Sequence, residues 1–387
     1  MDKIEGRKLK ICYVADPSNI ITQKFVRFFA DRGHEIHIIP SFLNPERIPE
    51  FDVEYQQITI HDEIVPPVSR WGNLGYLLKI RKLLHQIHPD IIHHQSLSGV
   101  NINIALATAG KYHTIVHPWG ADVLYNPEQS RRQHIKTRMV FKRISAVTAG
   151  SYNLIAHTVK YGMDPNACYF VSMGVDLSKF KPGIDASNLR EQLDIDPTHR
   201  VVLAPRQWSP KQNIDTIIQS IPLVIKQHPA VTFVFKNMIG LAGKELAEQI
   251  SGLGVEDNVI LIDQDAAPSA SFATMPMYYN MAAVTLSVPS WDGGPTTILE
   301  AMACHSPLVL SDIPENREWI INDKNGYLVT PGDEVALAEA IVKMLDQPKW
   351  LEESFRLNRE AVALKAEYVA SMSYVEKIYL KLSNSNN

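Results

Sequence analysis

The sequence predicts an α/β protein of two doubly wound, Rossmann-like domains facing each other across a cleft. Short apolar β-rich runs alternate with longer helical patterns, and the alternation occurs twice along 387 residues. That length suits two domains of roughly 100–200 residues each. Charge is also divided: residues 1–180 carry 21 Lys+Arg against 16 Asp+Glu, and residues 181–387 carry 17 against 26. A basic front half (+5) and an acidic back half (−9) fit two domains with different neighbours.

Composition narrows the class. Apolar residues make up 45% and charged residues 21%, ordinary values for a chain with large cores. No stretch approaches the roughly 18 uninterrupted apolar residues of a membrane span. The opening MDKIEGRKLK is polar and charged, so no secretory signal is expected. Cys12, Cys168 and Cys304 are the only cysteines and lie far apart. They fit a reducing cytoplasm rather than a disulfide framework, and no metal site is expected. The front half is too weakly basic to argue for nucleic acid, and no nucleic-acid motif occurs.

In the front half the strand runs are Ile11–Ala15, Ile36–Ile39, Asp90–His93, Thr114–His117, Ala146–Ala149 and Tyr169–Ser172. In the back half they are Val201–Ala204, Val231–Phe235, Val259–Ile262, Ala283–Leu286, Leu308–Leu310 and Gly326–Val329. They are unalternated and too short for helices, so they read as buried strands of parallel sheets. Between them, Leu74–His88 is helical, with Leu77, Leu78, Ile80, Leu84 and Ile87 on one apolar arc. Ile214–His228 is helical with a kink expected at Pro222, and Val335–Leu345 is a third helix. The stretch Phe180–Pro197 has the composition of a connector. The expected division is therefore 1–180, 181–365, and a crossover helix with a polar tail over 366–387.

Ligands of open α/β sheets bind beyond the carboxyl ends of the strands. After the run ending at Leu286 comes Ser287-Val288-Pro289-Ser290-Trp291-Asp292-Gly293-Gly294-Pro295-Thr296. Gly293 and Gly294 allow close backbone approach, and Pro295 suits a first helical position. The amides of that helix start make an anion site suited to a diphosphate. Glu300 shares a helical face with Thr296, Ala303 and Cys304, one turn on, where a carboxylate can accept from a ribose diol. Asp292 can accept from sugar hydroxyls; the plainer reading makes it a loop cap and Glu300 a solvated helix residue. After Val201–Ala204, Arg206 and Lys211 are cations able to clamp a diphosphate and offset the charge it gains as a leaving group.

Taken together, Arg206-x4-Lys211, the run SVPSWDGGPTTILEAMACHSPLVLSDIPENREWI and Asn325-Gly326-Tyr327-Leu328-Val329 resemble the retaining glycosyltransferases of family 4. Pro89-Asp90-Ile91-Ile92-His93, Ser151, and Gly174-Val175-Asp176 with Phe180 and Pro182 are similar to the same family. The resemblance implies the two-domain glycosyltransferase-B fold, with the Tyr368–Leu382 helix crossing back onto the front domain. It implies that Arg206 and Lys211 hold the donor diphosphate and that Glu300 binds the nucleotide ribose. Asp292 would contact the donor sugar, and Gly293, Gly294, Pro295 and Thr296 would meet sugar and phosphate through their backbone. The implied reaction is retaining, metal-independent transfer of a sugar from a nucleotide-sugar donor, a UDP-sugar by family frequency, to an acceptor hydroxyl on a glycan, lipid or small molecule. No cofactor is implied.

Two positions depart from the family pattern. Asp292 stands where Glu is usual and is one methylene shorter. The loop Asp16-Pro17-Ser18-Asn19-Ile20 lacks the Gly-Gly that many members carry. The family's sugar-contacting His falls either on His117, at the end of the Thr114–His117 run, or on the place of Trp119; His117 is favoured. Arg131, Arg132, Lys136, Arg138, Lys142 and Arg143, interleaved with Ile135, Met139 and Ile144, form a segment able to lie on an anionic membrane surface; the plainer reading, which is favoured, is a solvated helix face packed by the three apolar residues. A same-fold epimerase or hydrolase and a non-catalytic nucleotide-sugar-binding subunit are the alternatives. A nicotinamide-dependent dehydrogenase is disfavoured because no G-x-G-x-x-G follows the first strand.

Overall fold

The computed structural model describes residues 7–42, 56–66, 73–236, 241–262, 274–346 and 351–384. The chain forms two compact units, Met1–Met173 with Val369–Asn387, and Gly174–Tyr368. The end of the expected polar tail, residues 385–387, lies outside the described residues.

The first unit is built on seven parallel strands: β1 (Lys10–Ala15), β2 (Glu35–Pro40), β3 (Ile58–Ile60), β4 (Ile91–Gln95), β5 (Thr114–His117), β6 (Ala146–Ala149) and β7 (Cys168–Phe170). Their order is β3-β2-β1-β4-β5-β6-β7, so the winding reverses between β1 and β4. The second unit has six: β8 (Arg200–Ala204), β9 (Val231–Lys236), β10 (Val259–Ile262), β11 (Ala282–Ser287), β12 (Leu308–Ser311) and β13 (Tyr327–Val329). Their order is β10-β9-β8-β11-β12-β13, with the reversal between β8 and β11. β4, β5, β6, β9 and β12 are buried along their whole length, which is why none alternates apolar with exposed polar residues, although β4 buries His93, His94 and Gln95 as well. β3 was missed at the sequence level, because three residues flanked by Gln57 and His61 give no readable run.

Helices cover these sheets through the spacing of their apolar residues. The Ile214–Ile225 helix buries Ile214, Ile217, Ile218, Ile221 and Val224 in one core with Leu337, Ile341 and Met344 of the Glu334–Asp346 helix. It continues through Pro222 to Ile225. In the first unit the Asn73–Ile87 helix sends Tyr76, Ile80 and Leu84 into a core with Ile104, while Leu78, expected on that apolar arc, is 59% exposed. The Tyr368–Ser383 helix supplies Tyr379, whose hydroxyl lies 3.0 Å from that of Tyr13 and also bonds His93 Nδ1. Glu376 on the same helix takes Arg32 Nε at 2.9 Å and His34 Nε2 at 2.9 Å. The chain's last helix therefore belongs to the unit that its first residues build.

The second unit begins at Gly174, ahead of the Phe180–Pro197 stretch whose composition suggested a connector. That stretch packs within the second unit: the Phe180 ring lies 6.2 Å from Tyr279, Asn280 Nδ2 donates to the Lys181 carbonyl, and Ser187–Gln192 is helical. Gly174 itself has φ +76, and a Cβ there would lie 2.6 Å from the Cα of Tyr368. Positive φ and a backbone clash both oppose any side chain. Gly174→Ala should lower stability by about 2 kcal/mol or more, seen as a reduced midpoint in urea unfolding; an unchanged midpoint would contradict the placement.

Candidate active site

In the second unit, the loops after β8 and β11 meet at the reversal of strand order, the place where open α/β sheets take ligands. Both loops are pinned to each other. Asn213, in the left-handed conformation at φ 50, donates from Nδ2 to the Val288 carbonyl at 2.8 Å and to Ser290 Oγ at 3.1 Å. The Ser290 amide donates to the Lys211 carbonyl at 2.8 Å. Asn tolerates the left-handed region better than most residues, so it can both turn the chain and bridge it.

Arg206 and Lys211 come together with Asp292 on these loops. Arg206 Nη2 donates to Asp292 Oδ2 at 2.9 Å, Nε to Gln212 Oε1 at 3.1 Å and Nη1 to Thr297 Oγ1 at 3.3 Å. Asp292 Oδ1 accepts the Gly293 amide at 2.7 Å. The Lys211 ammonium sits 4.2 Å from the centre of the Trp291 ring. Burial lowers its pKa, Asp292 opposes that shift, and Arg206 adds to it.

The β11 loop feeds the Thr296–Ala303 helix. Pro295, expected at the first helical position, instead precedes the helix with φ −83 and ψ 60, and the Thr296 amide turns back to the Gly294 carbonyl at 2.9 Å. The first amides of any helix lack intrahelical acceptors, so this end can bind an anion. Glu300 is not a solvated helix residue: it is 5% exposed, and its Oε2 accepts the Tyr279 hydroxyl at 3.2 Å. Burial and this carboxylate together push the Tyr279 pKa well up.

In the first unit, His117 ends β5 and is 1% exposed. Its Nδ1 lies 2.9 Å from Thr148 Oγ1, and its ring packs edge-on to Phe25 with centroids 5.9 Å apart. Burial lowers its pKa to about 3, so the ring is neutral at ordinary pH. Just beyond it, the buried Asp122 gathers the amides of Trp119 at 3.0 Å, Gly120 at 3.0 Å and Leu97 at 2.8 Å. One carboxylate thus ties the loop after β5 to the loop after β4.

Family comparison agrees with both halves. Residues 10–151 match the family model described as glycosyl transferase 4-like, and residues 185–361 match glycosyl transferases group 1. The chain belongs to glycosyltransferase family 4. Among relatives of this family, a D-inositol 3-phosphate glycosyltransferase of Rhodococcus jostii is 26% identical over 57% of this chain and 49% of its own length. The chain spans about half the length of two of the proteins of that name, 49% and 53%. An N-acetyl-alpha-D-glucosaminyl L-malate synthase of Bacillus anthracis is 22% identical over 96% of this chain and 97% of its own. The solved structure of Anabaena Alr3699/HepE in complex with UDP-glucose superposes with a TM-score of 0.78 at 19% identity, covering 95% of this chain and 98% of that one. The sucrose-phosphate synthase structure from Thermosynechococcus elongatus gives 0.79 at 17% identity, covering 97% and 99%. The fold is that of the two-domain glycosyltransferase-B enzymes.

Within this family 4 chain, several side chains at the second-unit site escaped the sequence reading. Tyr279, Gln212 and Thr297 each bond a residue that it named, yet their own spacing marks nothing. Asn213 was within reach of it, as an Asn directly after the Lys211 turn and before a helical run. Lys236 is also buried at the end of β9, over the Tyr278 ring at 5.2 Å.

The first-unit histidines have a measurable consequence. Burial lowers both His94 and His117 to about 3. An unfolded chain protonates them near pH 6.5, so it gains protons that the folded chain refuses. Their contribution is intact above pH 6.5 and is lost as pH falls toward 3. Stability should fall between pH 7 and pH 5, by on the order of 2 kcal/mol per imidazole at the lower pH, read as a lower thermal midpoint, and His94→Gln should flatten the drop. A midpoint independent of pH over that range would contradict neutral burial.

Proposed function

We propose that this chain transfers a sugar from a UDP-sugar to an acceptor hydroxyl, with retention at the anomeric carbon and without a metal ion. The observation that carries this reading is the meeting of Arg206, Lys211, the Thr296 helix start and Glu300 at one strand reversal. Two cations and a helix end are what a diphosphate needs, and a buried carboxylate one turn on suits a ribose diol. UDP is supported by the fold neighbour Alr3699/HepE, solved in complex with UDP-glucose.

In the proposed reaction the bond from the sugar's first carbon to the diphosphate oxygen breaks. A bond to the acceptor oxygen forms on the same face, and the acceptor proton passes to the departing phosphate oxygen. Arg206 and Lys211 offset the charge that grows on the leaving diphosphate, the task a divalent ion performs elsewhere. Gly293, Gly294, Pro295 and Thr296 offer backbone to phosphate and sugar, and His117 is the candidate sugar contact from the first unit.

Anionic membrane is the proposed surface partner. The helices Asn73–Ile87, Asn101–Thr108 and Arg131–Phe141 contain no Asp or Glu. They are neighbours: Ile80 and Leu84 share a core with Ile104, and Lys136 Nζ bonds Asn103 Oδ1 at 2.6 Å. Leu74, Leu78, Ile135 and Met139 are exposed by 71%, 59%, 48% and 40% among Arg81, Lys82, Arg131, Arg132 and Arg138. A groove of about 670 Å³ between the first two helices has an apolar wall of Leu74, Leu77 and Leu78, and its charged residues are all basic. Apolar tips among cations match a bilayer of anionic lipid. Among the described residues no helix is long and apolar enough to cross a membrane.

Wild-type protein should melt higher with UDP-sugars than with GDP- or ADP-sugars, and NMR of the product should show the donor's anomeric configuration. With EDTA present, Arg206→Ala, Lys211→Ala and Glu300→Ala should each cut transfer by about 10²–10³-fold, Lys211→Ala with its melting temperature little changed and the other two with a lower one, since each takes a bond from a buried partner. Wild-type rates in Lys211→Ala would dispose of the clamp. Vesicles with phosphatidylglycerol should sediment the protein at low salt and phosphatidylcholine vesicles should not. Arg131→Glu with Arg132→Glu should abolish that binding, and equal binding to both vesicle types would end the membrane reading.

A further inference from the structure

The resemblance to family 4 gives Asp292 to the donor sugar, but the contacts of this carboxylate point elsewhere. Its Oδ2 takes Arg206 Nη2 at 2.9 Å and its Oδ1 takes the Gly293 amide at 2.7 Å, with the side chain 6% exposed. A guanidinium carries five N–H donors. Here Asp292, Gln212 and Thr297 hold three of them, one on each nitrogen. The fork is thereby fixed in direction, with an N–H on each terminal nitrogen left for a ligand among the described residues.

Charge reinforces the geometry. Arg206 and Lys211 repel one another, and Asp292 is the carboxylate that acts on both. Placed by the Gly293 amide, the shorter Asp side chain ends at the guanidinium. We propose that Asp292 is a positioning residue for Arg206, setting the direction of the guanidinium and offsetting the two cations, and that it is not the carboxylate that reads the donor sugar. The inference rests on the proposed function, in which this site grips a diphosphate.

Calorimetry with UDP, which has the ribose and diphosphate but no donor sugar, and with the intact UDP-sugar separates the roles. Should the wild-type protein select GDP or ADP instead, that nucleotide is used in both forms. Asp292→Asn and Asp292→Ala should weaken both ligands by the same factor, about 10–100-fold, as expected when a charge-assisted contact loses its orientation. In an Arg206→Ala background, Asp292→Ala should add nothing further, because its effect runs through the missing guanidinium. Asp292→Glu, which keeps the charge, should recover part of the affinity for UDP.

Loss confined to the UDP-sugar overturns the inference, as does unchanged or tighter UDP binding in Asp292→Asn. Additive losses in the double variant overturn it too. A wild-type protein that binds none of the nucleotides sinks the proposed function instead, so the two failures are told apart.

Discussion

The second unit depends on holding two loops from neighbouring strands at a fixed separation. β8 and β11 lie side by side because the winding reverses between them, and their loops therefore diverge around a crevice. Asn213 and the Ser290 amide bind the two loops along their backbones, and the Arg206–Asp292 pair binds them through side chains. An ion pair this buried is a weak source of net stability, since desolvating both charges offsets most of their attraction. Its value lies in direction: it sets where a guanidinium points. Removing either member leaves a buried charge alone, so the loops and the site stand or fall together.

The first unit uses the same device with different chemistry. Asp122 gathers three backbone amides from the loops after β4 and β5, next to the reversal between β1 and β4. Behind it lies a core with His93, His94 and His117, all lowered in pKa by burial, and Tyr379 of the last helix. Neutral imidazoles can pack among aromatic rings where charged ones would not. The return of the Tyr368–Ser383 helix to this unit closes the core with residues more than 280 positions apart in sequence from His93.

Much of this is legible in the sequence. Strands buried on both faces write themselves as unbroken apolar runs, so β1, β5 and β6 were readable nearly to the residue, and β10, only partly buried, was read from its run VILI. β3 was not, because three residues carry too little pattern. The Gly293-Gly294-Pro295 signal located the Thr296 helix, with Pro295 one place too far inside it. Leu78 matched the helical period of a core residue, yet the outer side of its helix is apolar as well, and period alone cannot tell the two faces apart. Arg206, Lys211, Asp292 and Glu300 were recognisable as charged groups after strands. What the sequence concealed was their pairing: that Asp292 meets Arg206, and that Glu300 meets Tyr279, depends on side-chain reach across 86 and 21 residues.

The central claim is that the diphosphate of a nucleotide is gripped between the two cations and the helix start. A crystal structure of the chain with bound UDP tests it most directly. The account predicts diphosphate oxygens within hydrogen-bond distance of the Arg206 guanidinium, the Lys211 ammonium and the first amides of the Thr296–Ala303 helix, with the ribose diol on Glu300. A diphosphate seated away from both cations, or a ribose that makes no contact with Glu300, would contradict it.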